Sequence, residues 1–209
     1  VRKRCICALM ISLCLTLGAC GPAGGGEKKQ DAAQLLQAEY QSLDGCSMTA
    51  EVRCDRADTV EEYTLHCDWT ADGEAVVSVL APEELAGIQA AFSGEELTLI
   101  YEDMSLAAGP VSEEALSPAQ VLPMLMQGIC EGYIQEKGAE QIGEENCLRL
   151  LFDTTGPRGG KIDYAVWFRA DHTPARAEVL VGNDVVFTVT FAEFSALEQE
   201  ESGGAAGSA

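Results

Sequence analysis

Two stretches near the start of the chain alternate apolar and polar residues, and this alternation constrains the fold more than any other feature. In "GCSMTAEVRC", Cys46, Met48, Ala50, Val52 and Cys54 are separated by Ser47, Thr49, Glu51 and Arg53. In "EYTLHCDW", Tyr63, Leu65, Cys67 and Trp69 interleave with Glu62, Thr64, His66 and Asp68. A period of two puts one set of side chains on each face of a strand, so these segments belong to a sheet with one buried face and one wet face. A hairpin turning near Ala57 and Asp58 sets Cys46 opposite Trp69, diagonal to Cys67 on the same face.

Further strands are expected at "EAVVSVL", "ELTLIYED", "CLRLLFD", "KIDYAVWFRA", "PARAEVLV" and "VVFTVTFAEF". The last three are joined by "DHTP" and "GND", connections short enough for hairpins. Eight strands with short links make an antiparallel meander whose apolar face needs a cover. Three helical segments supply one. Asp31 caps "AAQLLQAEYQSL", with Leu35, Leu36, Tyr40 and Leu43 on one stripe. "PEELAGIQAAF" opens on Pro82, a favoured first-turn residue. "SPAQVLPMLMQGICEGY" is capped by Ser117; Leu122, Leu125, Ile129 and Tyr133 form its stripe, and Pro123 should kink or restart it. The expected class is therefore α+β: an antiparallel sheet with one apolar face under about three short helices.

The ends of the chain read differently. Arg2, Lys3 and Arg4 precede an apolar run from Cys5 to Ala19, which is too short to span a bilayer core that needs about 20 residues. The run ends in Leu17-Gly18-Ala19-Cys20, which resembles the lipobox of bacterial lipoproteins. That resemblance makes residues 1–19 a signal peptide and Cys20 a diacylglycerol-modified N-terminus, holding the protein on the extracytoplasmic face of a cell membrane. Residues 20–30 carry nothing able to build a core and read as a tether. Residues 198–209 hold "EQE" and "ESGGAAGSA" and read as a solvated tail, leaving a single domain over 31–197.

Removing the leader leaves ten basic residues against 34 acidic ones, a formal charge of −24. Such a charge repels phosphate backbones, so nucleic acid is not an expected partner. Catalysis is not expected either. The two histidines, His66 and His172, have no metal-ligand spacing, and no zinc, nucleophile-elbow or P-loop motif occurs. "GPRGGK" at 156–161 precedes a strand rather than a helix and reads as a hairpin loop. No cofactor or metal is implied. Of nine cysteines, Cys46, Cys54, Cys67, Cys130 and Cys147 stay in the folded part. Five thiols cannot all pair within one chain; buried free thiols and a disulfide are both open.

The order helix, meander, "VLAPEELAGI", strand, Pro-containing helix and closing meander resembles the LolA/LolB lipoprotein-carrier superfamily, near clostridial and germination-type lipoproteins. The strongest part of the resemblance is "VWFRADHTPARAEVLVGNDVVFTVTFAEF". It implies an unclosed half-barrel with a helical lid on its concave face and an apolar cleft for a lipid, acyl chain or lipoprotein. Met48, Val52, Leu65, Trp69, Leu122, Met124, Leu125, Met126, Ile129, Tyr164, Phe168 and Phe187 would line that cleft. A monomer without enzymatic activity is expected. The other reading is a regulatory or interaction protein of the cell envelope with no small-molecule ligand, partnered by a protein there.

Overall fold

A computed structural model describes residues 31–56, 59–94, 96–110, 116–155, 161–182 and 184–197. The leader, Cys20, the tether, the 156–160 loop and the tail expected from the sequence lie outside these residues. Helix α1 (Ala32–Gln41) comes first, followed by β1 (Gly45–Arg56), β2 (Thr59–Thr70) and β3 (Glu74–Ala81). A 3-10 turn (Glu83–Leu85) leads into β4 (Gln89–Ser93), β5 (Glu96–Tyr101) and β6 (Met104–Pro110). Helix α2 (Pro118–Glu131) then precedes β7 (Tyr133–Ile142), β8 (Glu145–Thr155), β9 (Lys161–Phe168), β10 (Pro174–Val181) and β11 (Asp184–Leu197).

All eleven strands form one antiparallel sheet in the order β6-β5-β4-β3-β2-β1-β11-β10-β9-β8-β7. Every neighbour is also a neighbour in sequence except β1 and β11, whose pairing joins two meanders at the centre. The sheet does not close, because β6 and β7 are its two edges. The β1–β2 register is the expected one: Cys46 faces Trp69, and Met48 faces Cys67.

Helix α2 has to travel from one edge of the sheet to the other, and it does so across the apolar face. It packs on β2 and β3 in one meander and on β8 and β9 in the other, with α1 beside it. Flat strands spaced about 4.8 Å apart would set β3 and β8 roughly 29 Å from each other, and 14 helical residues span about 21 Å. To touch strands of both meanders the helix needs a sheet that curves toward it. At Gly128 the helix backbone meets the sheet: a Cβ there would come within 2.6 Å of the Tyr164 ring. Alanine favours a helix by about 1 kcal/mol over glycine, whereas forcing apart a packed core costs about 1–3 kcal/mol. Tyr164 is buried and cannot swing aside, so Gly128→Ala should lower the denaturant midpoint rather than raise it.

Several expectations need correction. The sheet has eleven strands, not eight, and two α-helices cover it, not about three. "PEELAGIQAAF" yields only the 3-10 turn and β4, because Gly87 at φ +89° ends any helix and Gln89–Ser93 is paired on both sides. Tyr133 leaves the helical stripe: α2 ends at Glu131, Gly132 is its extended C-cap, and Tyr133 starts β7 with 75% of its surface exposed. Leu35 is likewise exposed, and the buried face of α1 is Ala33, Leu36 and Tyr40. Pro123 stands inside α2, which runs on through it.

The sheet also has a small core on its other face. There Cys147, Ala165, Trp167 and Ala175 are buried together. Trp167 lies against the guanidinium groups of Arg149 and Arg176, 5.4 and 5.7 Å from its ring centroid, and its indole N–H donates to Glu140 Oε2 at 3.0 Å. Strand β9 is thus buried on both faces.

Candidate functional site

The inner face of the sheet is apolar from strand to strand because the alternation continues across both meanders. β1 contributes Cys46, Met48, Ala50, Val52 and Cys54, and β2 contributes Leu65, Cys67 and Trp69. β9 adds Ile162, Tyr164, Val166 and Phe168; β11 adds Phe187, Val189 and Phe191. Leu122, Leu125, Met126 and Ile129 of α2 point into this face, and Met124 packs at its margin. All twelve residues expected to line a cleft therefore meet in one cluster. Leu150 and Phe152 of β8, Val179 of β10, and Leu36 and Tyr40 of α1 belong to it as well. The period of two in "CLRLLFD" could have added the β8 pair.

The trough is filled by its own helix. Between α2 and the sheet runs a crevice bordered by Leu116, Val121, Met124, Tyr164, Val179 and Phe187, too narrow to admit a water molecule. A second recess, of about 130 Å³, sits where the C-terminal end of α1 meets the β9–β10 turn, between Glu39, Tyr40, Leu43, His172 and Phe194. That is small beside ligand pockets of roughly 300 Å³ and upward. Its rim is pinned by polar contacts. His172 Nδ1 lies 2.6 Å from Glu39 Oε2, and the Tyr40 hydroxyl donates to the His172 carbonyl at 2.8 Å.

The attachment of α2 is uneven along its length. At its C-terminal end Gln37 Nε2 donates to the carbonyls of Ile129 and Gly132 at 3.0 and 2.8 Å, and Gln41 Nε2 donates to that of Cys130 at 2.6 Å. These bonds satisfy carbonyls that the helix end leaves without partners. At the N-terminal end Ser117 N–H donates to Gln120 Oε1 at 2.8 Å, a local bond, and among the described residues no side-chain bond ties Pro118–Leu125 to α1. From Pro118 to Leu125 the contacts with the sheet are apolar. Pro123 lies in this segment and removes one backbone bond.

The five cysteines of the folded part are free thiols. Burial pushes the Cys46 thiol up to about 12, and the nearby Cys130 and Asp68 add to the rise. Burial raises Cys67 further and takes Cys130 to about 11. In an unfolded chain each thiol ionises near its ordinary value of 9.0, so between that pH and the folded value the native state holds more protons. Stability present below pH 9 is then lost as pH rises. Stability from urea melts should fall from about pH 9 upward, by up to about 1.4 kcal/mol per pH unit for each thiol. Cys46→Ala should flatten that slope.

His66 is not arranged as a catalytic relay. On the outer face, His66 Nδ1 is 3.1 Å from Thr49 Oγ1, while Ser47 Oγ and Asp68 Oδ1 both lie 3.4 Å from Nε2. A Ser-His-Asp relay needs the hydroxyl and the carboxylate on opposite ring nitrogens; here they share one, on an open strand face. The sequence had not flagged this cluster. Among the described residues no group of three or more His, Cys, Asp or Glu side chains converges as a metal site. Nor is any described helix long and apolar enough to cross a membrane.

No protein-family model matches the sequence, and no curated protein matches it. Solved structures do match in their chain path. One is a LolA superfamily protein from Nitrosomonas europaea, at 12% identity and TM-score 0.47, covering 79% of this chain and 94% of that one. Another is a domain from Vibrio parahaemolyticus described as an outer membrane lipoprotein-sorting protein, at 10% identity, TM-score 0.46, and 80% and 93% coverage. A third is the lipoprotein LppX of Mycobacterium tuberculosis, at 14% identity, TM-score 0.40, and 78% and 93% coverage. At these scores no residue role passes from a LolA-like neighbour to this chain.

Proposed function

We propose that the chain is an extracytoplasmic, lipid-anchored lipoprotein whose LolA-like trough takes an acyl chain, from a lipid or from another lipoprotein, when the N-terminal half of α2 lifts. In this reading residues 1–19 are removed, Cys20 carries the anchor, 21–30 form the tether, 31–197 bind, and 198–209 trail in solvent. The uneven attachment of α2 carries the proposal: polar bonds hold the C-terminal end to α1, while among the described residues the Pro118–Leu125 segment over the Met124–Tyr164–Phe187 crevice meets the sheet through apolar side chains.

Magnitudes permit the exchange. Burying Val121, Leu122 and Leu125 stabilises the closed helix by about 1.5–3 kcal/mol each, or roughly 5–9 kcal/mol together. An acyl chain of about 14 methylenes gains roughly 11 kcal/mol on leaving water, at about 0.8 per methylene. Met124, Met126 and Met48 are unbranched and can repack against a flexible guest. Native mass spectrometry of the full chain should show one lipid bound in addition to any attached at Cys20. A chain that carries none, and takes up none when incubated with a long-chain fatty acid, would refute the proposal.

A further inference from the structure

The two edges of the sheet are built differently. Edge strand β7 reads "YIQEKGAEQI", with Glu136, Lys137 and Glu140 exposed along it. Charges of this kind keep a free edge from pairing with another chain. Edge strand β6 reads "MSLAAGP" and holds no charge. Among the described residues nothing pairs with its outer side, and Met104 to Ala108 are all exposed. Its row of unpaired backbone donors and acceptors is therefore open to another strand.

The face beside this edge is apolar too. In register, Leu99 lies opposite Leu106 and Tyr101 opposite Met104, while Leu99 also lies opposite the buried Ala90. These four side chains thus continue the inner face of the sheet beyond the strands on which α2 is centred. Met104 and Leu106 are each 65% exposed, and Leu99 and Tyr101 are exposed as well. The result is an apolar ledge along an open edge.

Charge identifies the occupant. From residue 57 to residue 136 the sequence contains sixteen acidic residues and no lysine or arginine. Exposed Glu96, Glu102 and Asp103 flank the ledge. The turn carrying exposed Glu83 and Glu84 reaches it through Gly87, where a Cβ would lie 3.8 Å from the Tyr101 ring. A second copy would bring acids against acids, and an anionic lipid surface would be repelled.

We infer that β6 accepts an extended segment of a partner protein by strand addition, with the segment's apolar side chains on Leu99, Tyr101, Met104 and Leu106 and its basic residues toward the acidic rim. This site is separate from the crevice under α2, and it does not depend on acyl binding.

The test uses the full chain in detergent and a labelled ten-residue peptide alternating lysine and valine, with a glutamate–valine peptide as counterpart. Fluorescence anisotropy should show saturable binding of the basic peptide alone, weaker by roughly tenfold when salt rises from about 0.05 M to 0.5 M. Hydrogen exchange should slow at 104–108 and stay unchanged along β7. Met104→Lys with Leu106→Lys should weaken binding by at least about tenfold while circular dichroism is unchanged; Glu102→Lys with Asp103→Lys should weaken it with the ledge intact. Equal binding of both peptides, protection elsewhere than β6, or no effect of either pair would overturn the inference. So would β6 protection in a sedimenting dimer without peptide, or on neutral phosphatidylcholine vesicles, which would assign the edge to a second copy or to lipid.

Discussion

Replacing Phe168 by alanine should destabilise the fold by about 3–5 kcal/mol, the usual cost of deleting a large buried aromatic side chain, and should release α1 as well. Phe168 is fully buried on the inner face of β9, and its ring meets Tyr40 of α1 edge-on with centroids 5.3 Å apart. Tyr40 also bonds the β9–β10 turn at His172 and lies 5.8 Å from the Phe194 ring. Removing Phe168 therefore opens a cavity and deprives α1 of the surface that orients it. Since α1 in turn holds the C-terminal end of α2 through Gln37 and Gln41, both covers loosen together. Native stabilities are about 5–15 kcal/mol, so the variant should be close to unfolding at 37 °C. Urea melts by circular dichroism measure the loss, and a change below about 1 kcal/mol would mean that Phe168 does not tie α1 to the sheet.

Leu122→Ala should have a rarer signature, lower stability together with tighter acyl binding. Leu122 is fully buried in the half of α2 that packs on the sheet through apolar side chains, and its truncation should cost about 2–5 kcal/mol of stability. If the acyl-competent state is the one with this segment lifted, the same energy no longer opposes opening. A closing preference reduced by about 2 kcal/mol raises the open fraction, and hence the apparent affinity, roughly 30-fold. Titration with a fluorescent fatty acid beside urea melts would show both effects. A variant that loses stability and binds acyl chains more weakly would place Leu122 among groups that grip the ligand rather than groups that exclude it.

The sequence made some of this architecture legible for a definite reason. Strands with one wet face and one buried face carry a period of two, and the Cys46–Trp69 register follows from that period once the turn is placed. Strands exposed on both faces carry no such signal. β7, with Gln135, Glu136, Lys137 and Glu140, and β6, rich in alanine, carry no alternation because edges have little to bury. β4 reads as helix in sequence because Pro82, Glu83, Glu84 and Leu85 look like a helix start; the left-handed backbone at Gly87 and the pairing on both flanks override that propensity. The buried arginine-stacked Trp167 lies on the side that alternation marks as wet. Candidate trough residues were legible as a set, since Met48, Leu65, Leu122 and Phe187 each follow a periodic stripe. That α2 would fill the trough was not, because complementary volume depends on how two faces meet and leaves no pattern in either.

Hydrogen exchange along α2, measured on the full chain with and without saturating long-chain fatty acid, tests the lifting helix most directly. Faster exchange at 119–125, with 129–131 still protected by their bonds to α1, is the expected result. Uniform protection along the whole helix in the presence of bound acyl chain would contradict it.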